Sequence, residues 1–329
     1  MTDLIARAMD RAIALGDAVR GTTGDNPWVG CVILDQSGEI IGEGATQAPG
    51  QAHAEVMALA QAGDRAQGAT AVVTLEPCSH VGRTPACVEA LIEAGVSSVL
   101  YAIEDPDQRV GGTGAAALRG AGIDVAAGVR AREVSEQLAP YLHHRRTGRP
   151  LVVLKMASTL DGRTAAADGT SKWITSEEAR ADVANLRARS DAIIVGAGTV
   201  RSDDPLLTAR TTPEPVRQPQ RIVLGAIPEG ARVLPARSYE GDLAALIDEL
   251  GQSGVLQVLI EGGASVAQAF IEANLVDRVV LYLAPAIMGG DDGAPVLRGH
   301  GAPTIDAMKR GRLISAVQVG DDLRVEVAL

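Results

Sequence analysis

Aromatic side chains are scarce in this 329-residue sequence: one Phe, two Trp and four Tyr make up 2% of it. So few rings leave little on which single-stranded bases could stack. Positive charge is also in deficit, with 30 Lys and Arg against 41 Asp and Glu. The resulting net charge of −11 lacks the basic footprint of a phosphate-backbone binder. A small molecule is therefore the expected partner, and nucleic acid is not. Cysteine is limited to three, an odd number that argues against a disulfide framework and for a reducing compartment with thiols available to a metal. No apolar run reaches the length of a membrane span. The opening stretch 1–16 is broken by Asp3, Arg7, Asp10 and Arg11, unlike the apolar core of a signal peptide. A cytoplasmic protein with no membrane association is the expectation.

Hydrophobic residues at 46% and charged residues at 22% suit a globular chain, and the length exceeds what one core usually supports. Apolar residues fall at helical spacing over 4–15, and 29–34 and 40–44 read as strands joined by the turn Asp35-Gln36-Ser37-Gly38. Helices at 53–62, 85–94 and 111–119 then alternate with strands at 71–75, 99–103 and 123–129, which predicts an α/β sandwich around a mostly parallel sheet. The cation-rich stretch from His143 to Arg149 ends in Pro150 and interrupts the pattern, suiting a helix C-terminus followed by a linker. Two domains are expected, 1–147 and 148–329. The second restarts with a strand at 151–157, a helix at 177–189 and a strand at 192–195. It continues with strands at 221–224, 256–260 and 278–283, helices at 242–250 and 265–273, and a closing strand pair within 312–329, again α/β.

The chemistry-bearing pattern of the first half is His53-Ala54-Glu55 at a helix start, then Pro77-Cys78 after an apolar strand, then Cys87. One imidazole and two thiolates hold zinc while leaving a fourth position for water, as a catalytic site requires. Zinc acidifies that water to a pKa of roughly 7, and a nearby carboxylate outside the ligand set, Glu55, is suited to carry its proton to a leaving ammonia. His-x-Glu followed by Pro-Cys and Cys is the signature of zinc deaminases, except that eight residues rather than two separate the cysteines. Read without chemistry, the same residues are buried thiols and a helix-start histidine. Cys31, inside an apolar strand, reads as core.

The segment from Pro77 to Cys87, with Ser79-His80-Val81-Gly82-Arg83-Thr84-Pro85 between the thiols, resembles the extended cysteine loop of the bifunctional riboflavin-biosynthesis deaminase/reductase family. Asn26-Pro27-Trp28-Val29-Gly30 fits that family's substrate-facing loop. The resemblance implies a cytidine-deaminase-like α/β/α domain with one zinc per chain on His53, Cys78 and Cys87, Glu55 as proton shuttle, and Asn26, His80 and Arg83 against a phosphorylated pyrimidine. Two departures are present: Thr46 stands where the family often has a histidine, and its Asp-Pro-Asn-Pro segment appears as Asp105-Pro106-Asp107-Gln108.

The second half resembles the same family's reductase, of dihydrofolate-reductase-like α/β fold. The likeness rests on the segments 154–163, 171–175 and 196–210 and on Glu261-Gly262-Gly263-Ala264-Ser265. A glycine-rich turn at a helix N-terminus lets backbone N–H groups approach a phosphate. By resemblance Ala157, Trp173, Thr199, Asp203 and Gly263 lie along an NADPH site, and Ser171, Arg187, Leu207, Arg210 and Glu261 face the substrate. Lys155 and Asp203 are the candidates for proton transfer beside the hydride. Between 224 and 242 the chain is short where the family usually has a further strand and a polar residue able to meet the cofactor's 2′-phosphate. Gly225 and Ala226 offer no side-chain donor, which leaves Arg221, Arg232 or Arg237; the short segment implies either weaker discrimination against NADH or a compensated deletion with no kinetic effect. A homo-oligomer is expected. The rival readings are a nucleoside or nucleic-acid base deaminase with an accessory domain, and a pseudoenzyme with structural zinc; the acidic balance disfavours the first and Glu55 the second.

Overall fold

The computed structural model describes residues 2–79, 85–107, 111–212 and 215–329. The chain divides into two compact units, Met1–Thr147 and Gly148–Leu329. No helix among the described residues is long and apolar enough to cross a membrane.

In the first unit α1 (Thr2–Ala18) leads into β1 (Gly30–Leu34) and β2 (Ile40–Ala45), followed by α2 (Ala54–Ala62), β3 (Thr70–Leu75), α3 (Cys87–Glu93) and β4 (Ser98–Ile103). It ends with α4 (Thr113–Gly120), β5 (Asp124–Ala127), α5 (Ala131–Gln137) and α6 (Ala139–Thr147). The sheet runs β2-β1-β3-β4-β5. Pairing is parallel at β3/β4 and β4/β5 but antiparallel at β1/β2 and β1/β3, so the expected mostly parallel sheet is evenly divided. The tight turn after Leu34, pinned by Asp35 Oδ1 accepting from the Ser37 and Glu39 N–H groups, forces the hairpin. Helix α2 lies directly on the backbone of β2: a Cβ on Gly42 would sit 2.2 Å from Ala58 O, and one on Gly44 2.1 Å from Ala54 O. That close approach fixes the start of α2, where His53 and Glu55 lie, against the sheet.

The second unit contains β6 (Leu151–Thr159), β7 (Arg163–Ala165), α7 (Glu177–Ala188), β8 (Ala192–Gly196), α8 (Ala197–Asp203), β9 (Gln220–Leu224), β10 (Arg237–Tyr239) and α9 (Leu243–Gln252). Then follow β11 (Gln257–Ile260), α10 (Ala264–Glu272), β12 (Arg278–Ala284), β13 (Ala294–Pro295), β14 (Arg312–Val319) and β15 (Asp322–Ala328). Its eight-stranded sheet runs β10-β9-β8-β11-β6-β12-β15-β14, parallel as far as β12 and antiparallel beyond. The sequence's one Phe, Phe270, is fully buried on α10 among Leu154, Ile194, Leu246 and Ile260. Ser176 caps α7 by accepting from the Ala179 N–H, with Glu177 and Glu178 in the first turn and Arg187 in the last, each sign suiting the helix dipole. The short 225–241 segment does carry a strand, β10, which pairs in parallel with β9 and is followed by Asp242 capping α9. In open parallel sheets ligands sit beyond the carboxyl ends of the strands. Here the adjacent ends of β6, β11 and β8 deliver Ala157, Glu261 and Gly196 to one place.

Candidate active sites

In the first unit His53, Cys78 and Cys87 converge, their ligand atoms all within 4.8 Å of one another. His53 Nδ1 is 3.1 Å from Cys87 Sγ and 3.6 Å from Cys78 Sγ, and the two sulfurs are 3.3 Å apart. His53 is the N-cap residue of α2 and Cys87 the first residue of α3, whose N–H donates to Cys78 Sγ at 3.4 Å. Hydrogen bonds from Cys87 and the imidazole bring the Cys78 thiol well below its ordinary range. Cys87 is pushed the other way by its bond to Cys78 and by burial. One proton therefore leaves easily, and a second negative charge on this pair calls for a cation. A nitrogen and two sulfurs, with no fourth protein ligand in the group among the described residues, suit zinc with a position open to water.

Glu55, 4% exposed, sits on the first turn of α2, two residues after the ligand candidate His53. Burial, reinforced by the Cys78 charge, raises its pKa to about 7. Cys31 is fully buried on β1 and its thiol is raised by that burial, in keeping with a core role. Thr46 binds the strand that follows Asn26: its Oγ1 accepts from the Val29 N–H at 3.1 Å. Asp105 is buried and accepts from the Tyr141 hydroxyl with both oxygens at 3.1 Å. Asn26, half-buried, is held in a turn in which Thr23 Oγ1 donates to its carbonyl. His80 and Arg83 lie outside the described residues, as does Gln108.

In the second unit Lys155, Ala157, Ser171, Trp173, Arg187, Thr199, Asp203, Leu207, Arg210, Glu261 and Gly263 all line one cavity of about 670 Å³. Gly263 precedes α10 as its N-cap with no side chain to cap the helix, and Gly262, Gly263 and Ala264 line the cavity; a Cβ on Gly263 would crowd Thr199 Oγ1 at 3.3 Å. An open glycine turn at a helix start fits a cofactor phosphate. Arg187 grips Glu261 with two bonds, Nε to Oε1 at 2.6 Å and Nη2 to Oε2 at 2.8 Å. The pair is secluded, the side chains 16% and 8% exposed. The Arg187 fork is thus already engaged, so the exposed Arg210 is the better phosphate ligand of the two arginines. Burial lowers the Lys155 pKa and the Arg187 charge lowers it further, while Glu261 opposes both. Trp173 is 70% exposed with the Arg180 guanidinium 4.5 Å from its ring centroid, which is no core position.

Sequence reasoning missed Arg180 and Tyr282 in this cavity and left Arg232 among three alternatives. Arg180 precedes Arg187 by two helical turns on α7, a signal available from periodicity. Tyr282 pairs with Ala157 across β12 and β6, which only the sheet order reveals. Arg232 is the one member of the trio Arg221, Arg232 and Arg237 that reaches the cavity; its N–H is fixed by Asp204 Oδ1, whereas Arg237 is paired with Glu249 and Arg221 bonds Leu206 O.

A zinc-type deaminase centre and a cofactor-sized cavity on one chain define a two-activity enzyme, a deaminase joined to a reductase. Comparison with known proteins agrees. Residues 3–103 match the family model of the cytidine and deoxycytidylate deaminase zinc-binding region, and residues 150–325 that of the RibD C-terminal domain. Riboflavin biosynthesis protein RibD of Mycobacterium tuberculosis is 45% identical, covering 97% of this chain and 96% of that protein. The Escherichia coli protein of the same name is 42% identical over 86% of this chain and 88% of its own. Among solved structures, Acinetobacter baumannii RibD superposes with a TM-score of 0.91 at 37% identity, over 100% of this chain and 99% of that one. A Thermotoga maritima protein titled a diaminohydroxyphosphoribosylaminopyrimidine deaminase/5-amino-6-(5-phosphoribosylamino)uracil reductase gives 0.88 at 32%, covering 99% of each chain. The chain belongs to the RibD family, the bifunctional deaminase/reductases of riboflavin biosynthesis, with zinc serving the deaminase and NADPH the reductase.

Proposed function

We propose that the two units carry two consecutive reactions. Met1–Thr147 would replace the 2-amino group of 2,5-diamino-6-ribosylamino-4(3H)-pyrimidinone 5′-phosphate with oxygen, and Gly148–Leu329 would reduce the ribosyl group of the product to ribityl. The observation that carries this reading is Glu55, a buried carboxyl against the His53, Cys78 and Cys87 triangle. A structural zinc has no use for it.

Zinc supplies a Lewis acid that activates water near neutral pH. Glu55 takes a proton from that water as oxygen adds to the ring carbon, then hands it to the amino nitrogen, so that the C–N bond breaks and ammonia leaves. Asn26, His80 and Arg83 orient the pyrimidine and its phosphate. In the second unit NADPH supplies the hydride; Ala157, Trp173, Thr199, Asp203 and Gly263 position it. Ser171, Leu207 and Arg210 receive the substrate, Arg210 through charge-assisted bonds to phosphate. Glu261 holds Arg187 and, with it, sets the charge around Lys155, which with Asp203 supplies the proton that accompanies the hydride. The protein works in the cytoplasm as a homo-oligomer, without nucleic acid.

Metal analysis tests the first unit: one zinc per chain, lost in a Cys78→Ser/Cys87→Ser double variant together with ammonia release, and kept in Cys31→Ala. Zinc-free wild type that still releases ammonia would overturn the reading.

A further inference from the structure

One buried carboxylate beside the triangle has no part in the chemistry above. Glu76 is 3% exposed at the end of β3, two residues before Cys78. Its oxygens accept backbone N–H groups at the start of α4, Oε2 from Gly112 at 2.9 Å and Oε1 from Ala115 at 3.0 Å. The residue in the N-cap position of α4 is Gly112, left-handed at φ 75° and without a side chain to cap with, so Glu76 caps the helix from another segment. A carboxylate there satisfies donors the helix cannot satisfy itself and lies at the favourable end of its dipole.

Two more features join the same elements. Gly114 lies so close to the chain that a Cβ would come within 2.0 Å of Pro77 O. Ser79 Oγ meets Thr113 Oγ1 at 2.7 Å. The residues on both sides of Cys78 are thus fastened to the first turn of α4. Cys78 itself is held from the opposite side by α3, its carbonyl accepting from Val88 N–H at 3.2 Å and its sulfur from Cys87 N–H.

We propose that Glu76 is a positioning residue for the Cys78 ligand: by capping α4 it locks residues 76–79 so that the sulfur is presented to the metal in one geometry. The proposal rests on the zinc reading given above. Outer supports of this kind set metal affinity because they restrict where the ligand atom can be. Glu76→Gln leaves one acceptor and turns an amide N–H2 group onto the second backbone N–H, so the lock is broken while shape is kept.

The test uses the full-length zinc protein with a chromophoric chelator, and the cobalt-substituted protein for its visible spectrum. Glu76→Gln should release zinc about 10- to 100-fold faster than wild type. The thiolate-to-cobalt and ligand-field bands should shift, while NADPH oxidation with the deaminated intermediate is unchanged. A release rate within twofold of wild type, or faster release with an unchanged cobalt spectrum, overturns the positioning role. If Glu76→Gln does not fold, Ser79→Ala removes one tie at the partly exposed edge; it should speed release severalfold, and an unaltered rate counts against the proposal. Wild type lacking zinc, or Cys78→Ser retaining it, would instead sink the zinc reading itself.

Discussion

Glu261→Gln is the substitution whose consequences the reductase geometry specifies most fully. It removes the negative member of a pair joined by bonds of 2.6 and 2.8 Å whose side chains are 8% and 16% exposed. Removing one partner of such a pair leaves a secluded, uncompensated guanidinium, a loss of about 3 kcal/mol at the low end because the amide can still accept one bond. That is roughly a hundredfold in the folding equilibrium at 1.4 kcal/mol per decade. A second effect has a definite sign. Burial and Arg187 lower the Lys155 pKa and Glu261 raises it, so losing Glu261 drops it further. The group then deprotonates at lower pH. The urea midpoint, followed through NADPH oxidation with the deaminated intermediate, should fall, and the alkaline limb of the kcat/KM profile should move toward lower pH. An Arg187→Met/Glu261→Leu variant should regain stability without regaining activity, since apolar residues of similar volume replace the pair without an orphaned charge. A Glu261→Gln protein within 0.5 kcal/mol of wild type, as judged against the ordinary scatter of surface substitutions at about that size, and with an unshifted profile, would refute this reasoning.

Two further outcomes follow from single residues. Arg232→Ala should raise KM for NADPH about 10- to 100-fold and leave NADH nearly unchanged, the loss of one charged bond being worth about 1.5–3 kcal/mol; Arg237, already paired with Glu249, should change neither when replaced by Ala. Equal effects of the two substitutions on both cofactors would contradict that assignment. Asp161 is held at about 2 by the Thr159 hydroxyl and the Gly289 and Met288 N–H groups. A carboxyl lowered on folding stabilises the native state above its unfolded pKa and loses that contribution as pH falls through the folded value. Asp161→Asn should therefore unfold at lower urea than wild type at pH 7, with the gap closing between pH 4 and 2; a gap independent of pH would rule the linkage out.

The deaminase centre was legible because its chemistry lies in residue types at fixed places: His53 and Glu55 share a helix start, and Cys78 and Cys87 flank one connection. The eight intervening residues change the loop without moving either sulfur out of reach. Alternating patterns gave β1 and β3 but not their relative direction, since a period of two is the same read from either end; hence the antiparallel β1/β3 pairing was not foreseen. Strand β10 has three residues, too few for any periodicity, and is held by pairing with β9. Pairings between individual side chains and backbone groups far apart in sequence, where no motif joins them, were out of reach. Arg187 reads only as a substrate-facing residue until the fold brings Glu261, 74 residues away, onto its fork. Glu76 meets Gly112 and Ala115 only because β3 and β4 are neighbours in the sheet.

The central claim is that one chain carries two separable chemistries, and Glu55→Gln tests it most directly. The amide cannot move protons but leaves His53, Cys78 and Cys87 intact. The variant should keep one zinc, release no measurable ammonia from the diaminopyrimidinone, and oxidise NADPH at the wild-type rate when given the deaminated intermediate. Ammonia release at the wild-type rate, or loss of both activities in a folded, zinc-loaded protein, would contradict the account.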